Sequence, residues 1–401
     1  LERIVKIRDV RIEPSGAGSA AVARFEWEDS NRPPVEVSFR TPDPDPLDPS
    51  AAPAAFLIAG FFPAMHHGEH RVAIEGSVCP SLRNGLLGAG RLFDVWYGHT
   101  APRIEPDREW GPRPGAAPEA TASFLSGGVD SLHALRNNHR LFPDGHPGRV
   151  RECLFVHGLD LPGGAGTPAG ARRLSLIEPL LSGIVEDAGV GLRRIGTDAR
   201  LLEPDVSFWA WEYVSPPLAA AAHLLSRRFS TILLGSSYDF RNLVPWGSHP
   251  LLDPLLGSSD LAIEHVGASR HRLEKLRDLL AWPAALRRVA VCNNSSDTAP
   301  NCGVCGKCLR TMAEMIAVGA PQPETLPRLE TLRPEDIDAL PPGPIDVENF
   351  WSAVIPGLAE NRRPDLAAAV SRYLRRIRSA RRKGLLARLA GRLRRRALRR
   401  R

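Results

Sequence analysis

The chain has 401 residues, about 43% of them hydrophobic, enough to bury one sizeable core and a second, smaller one. Its formal net charge of +7 is unevenly placed: residues 362–401 hold roughly 17 Arg or Lys against one acid, leaving the remainder near −9. The overall basicity is therefore no argument that the whole protein is built on nucleic acid, and the longest apolar stretch, 51–65, is too short for a bilayer and carries Pro53 and Pro63.

The opening LERIVKIRDV has neither a basic and apolar leader nor a cleavage site, so no secretory signal is expected. Segments such as VARFEWE and VEVSF alternate like short strands and are broken by the Pro-rich TPDPDPLDPSAAP. The apolar run that follows reads as buried core, and residues 1–115 as a small α+β domain. HHGEH at 66–70 spells H-x-x-E-H, a zinc-protease pattern, but Gly68 and the strand-like RVAIEG after it argue against the helix that pattern needs. A Pro/Gly-rich stretch, 101–120, contains the expected boundary.

From 121 the pattern changes. ATASFL is strand-like, DSLHALRNNHRLF helix-like, RECLFVHGLDL strand-like, and 170–188 has helical spacing; GLRRIGTDA, a helix across 209–228 and the strand STILLGSS follow. This alternation predicts an α/β domain over 116–320, a parallel sheet with helices on both faces. A Pro-rich segment and helix fill 321–361, and a basic helical tail fills 362–401. In the tail, Leu386, Leu389, Leu393 and Ala397 recur at helical spacing on an Arg-rich background, suited to an anionic membrane surface or nucleic-acid phosphates.

Within the α/β region, FLSGGVDSLHAL joins the first strand to the first helix. A loop there opens at the carboxyl edge of a parallel sheet, where the helix directs N–H groups and the positive end of its dipole at a ligand. Gly127 and Gly128 allow close approach of an anion, the hydroxyls of Ser126 and Ser131 add donors, and Val129 completes the loop. Asp130 would repel phosphate alone and makes sense as a ligand of the Mg2+ that accompanies ATP. The loop fits neither G-x-x-x-x-G-K-[ST] nor G-x-G-x-x-G.

The hexapeptide S-G-G-V-D-S resembles the signature of the PP-loop ATP pyrophosphatases, which include asparagine and GMP synthetases and tRNA-modifying ligases. The resemblance implies an adenine nucleotide alpha hydrolase-like fold and a loop gripping the β- and γ-phosphates. It also implies attack of a substrate oxygen on the α-phosphate, releasing pyrophosphate before a nitrogen or sulfur nucleophile displaces AMP.

Of six cysteines, Cys79 and Cys153 stand alone while Cys292, Cys302, Cys305 and Cys308 cluster, a metal-site distribution that suits a reducing cytoplasm. Four thiolates complete a tetrahedral, structural Zn2+ site; spacing alone leaves an iron–sulfur cluster open. Together the loop and the C-x9-C-x2-C-x2-C knot look like 7-cyano-7-deazaguanine synthases, over roughly 120–315, in which the four cysteines bind zinc. The C-x9-C interval is one residue longer than that family's usual pattern, and residues 1–100 and the basic tail have no counterpart in it.

In GSSYDFRNLVPWGSHPLLDP, Ser236, Asp239, Arg241, His249 and Asp253 are candidates to read a substrate, expected to be a small carboxylate or modified base. Arg270 and Lys275, near the start of a helix, are candidates to meet the α-phosphate or pyrophosphate, with Asp130 as the third catalytic candidate. The aromatics of SFWAWEY read as core. The expected activity is an AMP-forming ligase that transfers nitrogen. Two rivals stand beside it: a sulfurtransferase of the same fold, and a noncatalytic nucleic-acid-binding module with a zinc knuckle.

Overall fold

A computed structural model describes residues 3–28, 31–111, 120–159, 161, 163–292, 298–343 and 347–398, with side chains as far as 382. Two compact units emerge, one of Leu1–Arg270 and one of His271–Asn294 with Ala299–Arg401.

The first unit opens with a hairpin, β1 (Ile4–Ser15) and β2 (Gly18–Glu28), followed by β3 (Val35–Thr41), all antiparallel. The helix α1 (Ala52–His66) is apolar all round and buried along nearly its whole length, as its sequence demands. Next come β4 (Arg71–Ile74), α2 (Pro80–Tyr97) and β5 (Arg103–Pro106), with β4 parallel to β1 and β5 parallel to β4. Then follow β6 (Thr121–Phe124), α3 (Val129–Leu141), β7 (Val150–His157), α4 (Pro168–Ala188) and β8 (Gly191–Thr197). After these come α5 (Val206–Trp211), α6 (Ser215–His223), β9 (Thr231–Gly235) and β10 (Ala262–Val266).

All ten strands form one mostly parallel sheet in the order β10-β9-β6-β7-β8-β3-β2-β1-β4-β5. The α/β class follows directly from this arrangement. The N-terminal strands do not close on themselves: β3 pairs antiparallel with β8, Phe39 opposite Thr197 and Arg40 opposite Gly196. Residues expected to form a separate 1–115 domain therefore share a sheet and a core with the strands after 120. The physical reason is an unpaired sheet edge on each side, which backbone pairing removes. The expected 115/116 boundary lies outside the described residues, and the observed division after Arg270 falls inside the expected 116–320 domain.

The aromatic residues Phe208, Trp209 and Tyr213 are buried in this core; the Trp209 indole donates to the Glu203 carbonyl at 2.5 Å. The helix expected across 209–228 is instead split into α5 and α6, and Pro216 and Pro217 start the second piece, where their missing N–H groups cost nothing.

The second unit is helical: α7 (Arg272–Leu279), α8 (Pro283–Arg287), α9 (Gly306–Ala317), α10 (Pro334–Asp338), α11 (Glu348–Glu360) and α12 (Pro364–Leu398). A capping box starts α7, the His271 ring accepting from Leu273 N and Glu274 accepting from His271 N. A buried ion pair, Arg272 Nε to Glu314 Oε2 at 3.0 Å, ties α7 to α9. The basic tail begins as part of this unit. Leu366, Val370, Tyr373 and Ile377 are buried, and Arg372 and Arg378 pair with Asp338 and Glu348. The side chains of Leu386, Leu389, Leu393 and Ala397 lie outside the described residues. Among the described residues, no helix is long and apolar enough to cross a membrane.

Candidate nucleotide loop and candidate metal centre

The five strands β8-β7-β6-β9-β10 are mutually parallel, and β6, first of them in the chain, lies at their centre. In such an order the connections leave β6 toward one side and return to β9 on the other, so the carboxyl ends of β6 and β9 flank a crevice where ligands bind. The 126–131 loop occupies the end of β6. Gly127 has φ +79°, a conformation costly for any residue with a Cβ, and Gly128 is the N-cap of α3 with no side chain to satisfy the first-turn amides. The two hydroxyls are not equivalent. Ser131 Oγ is buried, donates to Gly128 O at 3.0 Å and accepts from Ser126 N at 3.2 Å, so it shapes the loop. Ser126 is exposed, and its Oγ accepts from Gly128 N at 3.3 Å. Val129 is buried and Asp130, in the first turn of α3, is half-buried.

The end of β9 presses against this turn: a Cβ at Gly235 would lie 2.6 Å from the Asp130 carbonyl oxygen. Ser236 follows, its amide donating to Val266 O at 2.8 Å and its hydroxyl to Tyr238 O at 2.6 Å. Asp239 accepts from Arg241 N at 2.9 Å and Asn242 Nδ2 at 2.7 Å, while Arg241 itself is exposed. Asp253 is fully buried. It accepts from Ser248 Oγ at 2.9 Å, His249 N at 3.1 Å and the His265 ring at 2.6 Å, so His249 and Asp253 belong to an interior network. Burial, reinforced by His265, lowers the His249 pKa. A cleft of about 460 Å³ runs along α3 past His133 and Asn137; none of residues 126–131 lines it.

The catalytic candidates divide between the units: Asp130 and Arg270 belong to the first, and Lys275, buried on α7, to the second.

The four clustered cysteines do converge. Their sulfurs all lie within 4.8 Å of one another, with Cys292 Sγ 3.8 Å from Cys305 Sγ and Cys302 Sγ 3.9 Å from Cys308 Sγ. A tetrahedral ion with Zn–S bonds near 2.3 Å separates its sulfurs by about 3.8 Å, so these thiols can hold a single metal ion such as zinc. Cys305 is the N-cap of α9 and Cys308 lies in its first turn, where the dipole favours thiolate. The hydrogen bond with Cys308 holds the Cys305 pKa down, and the same contact pushes Cys308 up.

Asn301 is a part of this centre that the cysteine spacing did not reveal. Its buried amide accepts from Val291 N and Cys292 N at 2.9 and 3.2 Å and donates to Val289 O and Thr325 O at 2.9 and 3.0 Å. It thereby fixes Cys292 beside the 302–308 turn. The available signal was only a polar residue adjoining the first cysteine of the run.

Comparison with protein-family models, curated proteins and solved structures found no match to this chain. The α/β sheet and the clustered thiols therefore define it: an α/β protein with a loop at the reversal point of its parallel strands and a four-cysteine centre.

Proposed function

We propose that this chain is an ATP-dependent, AMP-forming ligase of the PP-loop ATP pyrophosphatase type, with an adenine nucleotide alpha hydrolase-like domain, acting on a small carboxylate or amide-type oxygen. The observation that carries the reading is the position of S-G-G-V-D-S at the carboxyl end of the central strand β6, at the point where strand order reverses.

In this reading the first-turn amides of α3, with Gly127 and Gly128, hold the β- and γ-phosphates, and the exposed Ser126 hydroxyl adds a donor. Asp130 is the ligand of the Mg2+ that accompanies ATP. A substrate oxygen attacks the α-phosphorus, the bond to the bridging oxygen breaks, and pyrophosphate leaves. A nitrogen nucleophile then adds to the activated carbon and AMP departs. The chain's contribution is positioning and charge stabilisation by fixed donors. Ser236, at the end of β9, and exposed Arg241 are the nearest candidates in sequence to a substrate subsite beside this loop.

The four-cysteine centre is read as structural zinc. Its sulfur separations suit one ion at the centre, whereas a four-iron cluster gives each thiolate its own iron and spreads the sulfurs further apart. That spacing favours the ligase over a sulfurtransferase built on an iron–sulfur cluster. The Arg-rich end of α12 is proposed to meet nucleic-acid phosphates or an anionic membrane surface.

The test is turnover of α-labelled ATP with Mg2+, ammonia and a pool of carboxylates and modified bases, comparing wild type with Asp130→Ala. AMP and pyrophosphate formed by wild type and lost in the variant support the reading. ATP binding without AMP under any condition overturns it in favour of a binding module.

A further inference from the structure

His66, His99 and Glu212 are brought together from positions 33 and 113 residues apart, all within the first unit. His66 is the last residue of α1, His99 follows the left-handed Gly98 that caps α2, and Glu212 is the C-cap residue of α5. One ligand atom from each lies within 4.8 Å of the others. Both rings aim at the same carboxylate oxygen: His99 Nε2 is 2.8 Å and His66 Nδ1 3.5 Å from Glu212 Oε2. His99 completes a hydrogen bond there, but His66 Nδ1 is buried and makes none.

We infer that His66, His99 and Glu212 form a second metal site, for a divalent transition-metal ion of the zinc type, separate from the four-cysteine centre. Two imidazoles and one carboxylate are the donor set of zinc sites that keep a fourth position open for water. Three such ligands around one ion, at bonds near 2.1 Å, sit about 3.4 Å apart. The 3.5 Å separation already matches, and His99 reaches a matching one by giving up its hydrogen bond to Glu212. The side chains are 24%, 20% and 13% exposed in the order His66, His99, Glu212, leaving a side open to solvent. The C-terminal ends of α1 and α2, 15 and 18 residues long, bring partial negative charge that favours a cation.

Phe208, with its ring 4.7 Å from that of His66, and Tyr97, 6.0 Å from that of His99, wall the site; the Tyr97 hydroxyl is committed to Trp211 O at 2.9 Å. The neighbouring group of His66, His67 and Glu203 is a poorer site, because the Arg32 guanidinium lies 2.7 Å from His67 Nδ1 and 3.6 Å from Glu203 Oε2. A cation already occupies that side. One residue of the H-x-x-E-H pattern thus contributes in an unexpected way: His66 is a ligand, and its partners come from distant helix ends in place of Glu69 and His70.

The test is metal stoichiometry. The full chain is stripped with chelator, titrated with Zn2+, freed of excess and counted by mass spectrometry beside Glu212→Gln and His99→Ala, with circular dichroism confirming that each folds. Each variant is expected to hold one equivalent fewer than wild type, independent of what the cysteines bind. Should one variant fail to fold, the other carries the count. Wild-type stoichiometry and affinity retained in a folded variant overturn the proposal. So does a wild-type chain whose only zinc is lost on replacing Cys305 and Cys308 with serine.

Discussion

The carboxylate of Asp198 grips Ser38 from both sides, its Oδ1 accepting the Ser38 amide at 2.6 Å and its Oδ2 the Ser38 hydroxyl at 2.7 Å. Arg40 adds an ion pair at 3.1 Å, and Thr197 donates to Ser38 O at 2.8 Å. This is the seam where β3 meets β8. Asp198→Ala leaves buried donors unmet and is expected to cost about 3 kcal/mol, lowering Tm by roughly 5–10 °C. Thermal melting checks it, and a fragment beginning at 120 is expected not to fold, because it exposes the edge of β8.

At the candidate nucleotide loop, the proposed ligase activity requires that Asp130→Ala lower AMP formation by a factor on the order of 10² to 10³ while leaving the fold intact. Gly127→Ala, forced to hold φ +79°, should weaken nucleotide binding and cost about 1 kcal/mol. Equilibrium binding of a nonhydrolysable ATP analogue with Mg2+ separates the two effects.

The cysteine centre should couple metal to folding of the second unit. Chelation or Cys308→Ser is expected to lower its melting transition, and Asn301→Ala to weaken zinc binding by about 10–100-fold through the loss of its hold on Cys292. Competition against a chromophoric chelator measures both. Affinity should fall as pH falls, since the thiols must lose protons to bind.

His157, at the end of β7, is half-buried and its pKa is lowered to about 4, first by desolvation and then by Arg194. Between roughly pH 6.5 and 4 the unfolded chain takes up a proton that the folded chain refuses. Its contribution to stability is therefore full above pH 6.5 and is lost on acidification, by up to about 1.4 kcal/mol per pH unit within that window. His157→Gln should flatten the fall of Tm between pH 7 and 4.

The basic tail should divide functionally near residue 382. Deleting 383–401 is expected to leave Tm unchanged and to abolish salt-dependent binding to RNA or anionic vesicles; deleting from 362 removes the buried Leu366, Val370, Tyr373 and Ile377 and should unfold the second unit. Binding at two salt concentrations and melting of both truncations check it.

Local signals carried much of this. The switch from strand-like ATASFL to helix-like DSLHAL, with two glycines between, marked β6 and α3, and STILLGSS marked β9. The spacing of Cys302, Cys305 and Cys308 marked the candidate metal centre, because a short turn brings such sulfurs together without help from the rest of the chain. The polar loop after β9 was less legible: Asp253 and His249 have the side chains of a reading site, yet Asp253 is turned inward to His265 and Ser248, and the buried His249 ring accepts from Leu251 N.

The sequence by itself determined the strand–helix alternation, the glycine loop after β6 and the thiol cluster, since each depends on residues close together in the chain. Only the tertiary structure decided that β3 joins β8 across roughly 150 residues, that Asn301 braces Cys292, and that His66 meets His99 and Glu212. Those relationships come from sheet-edge pairing and from helices ending at a common point. Such geometry is set by packing of the whole core and leaves no periodic trace in the chain.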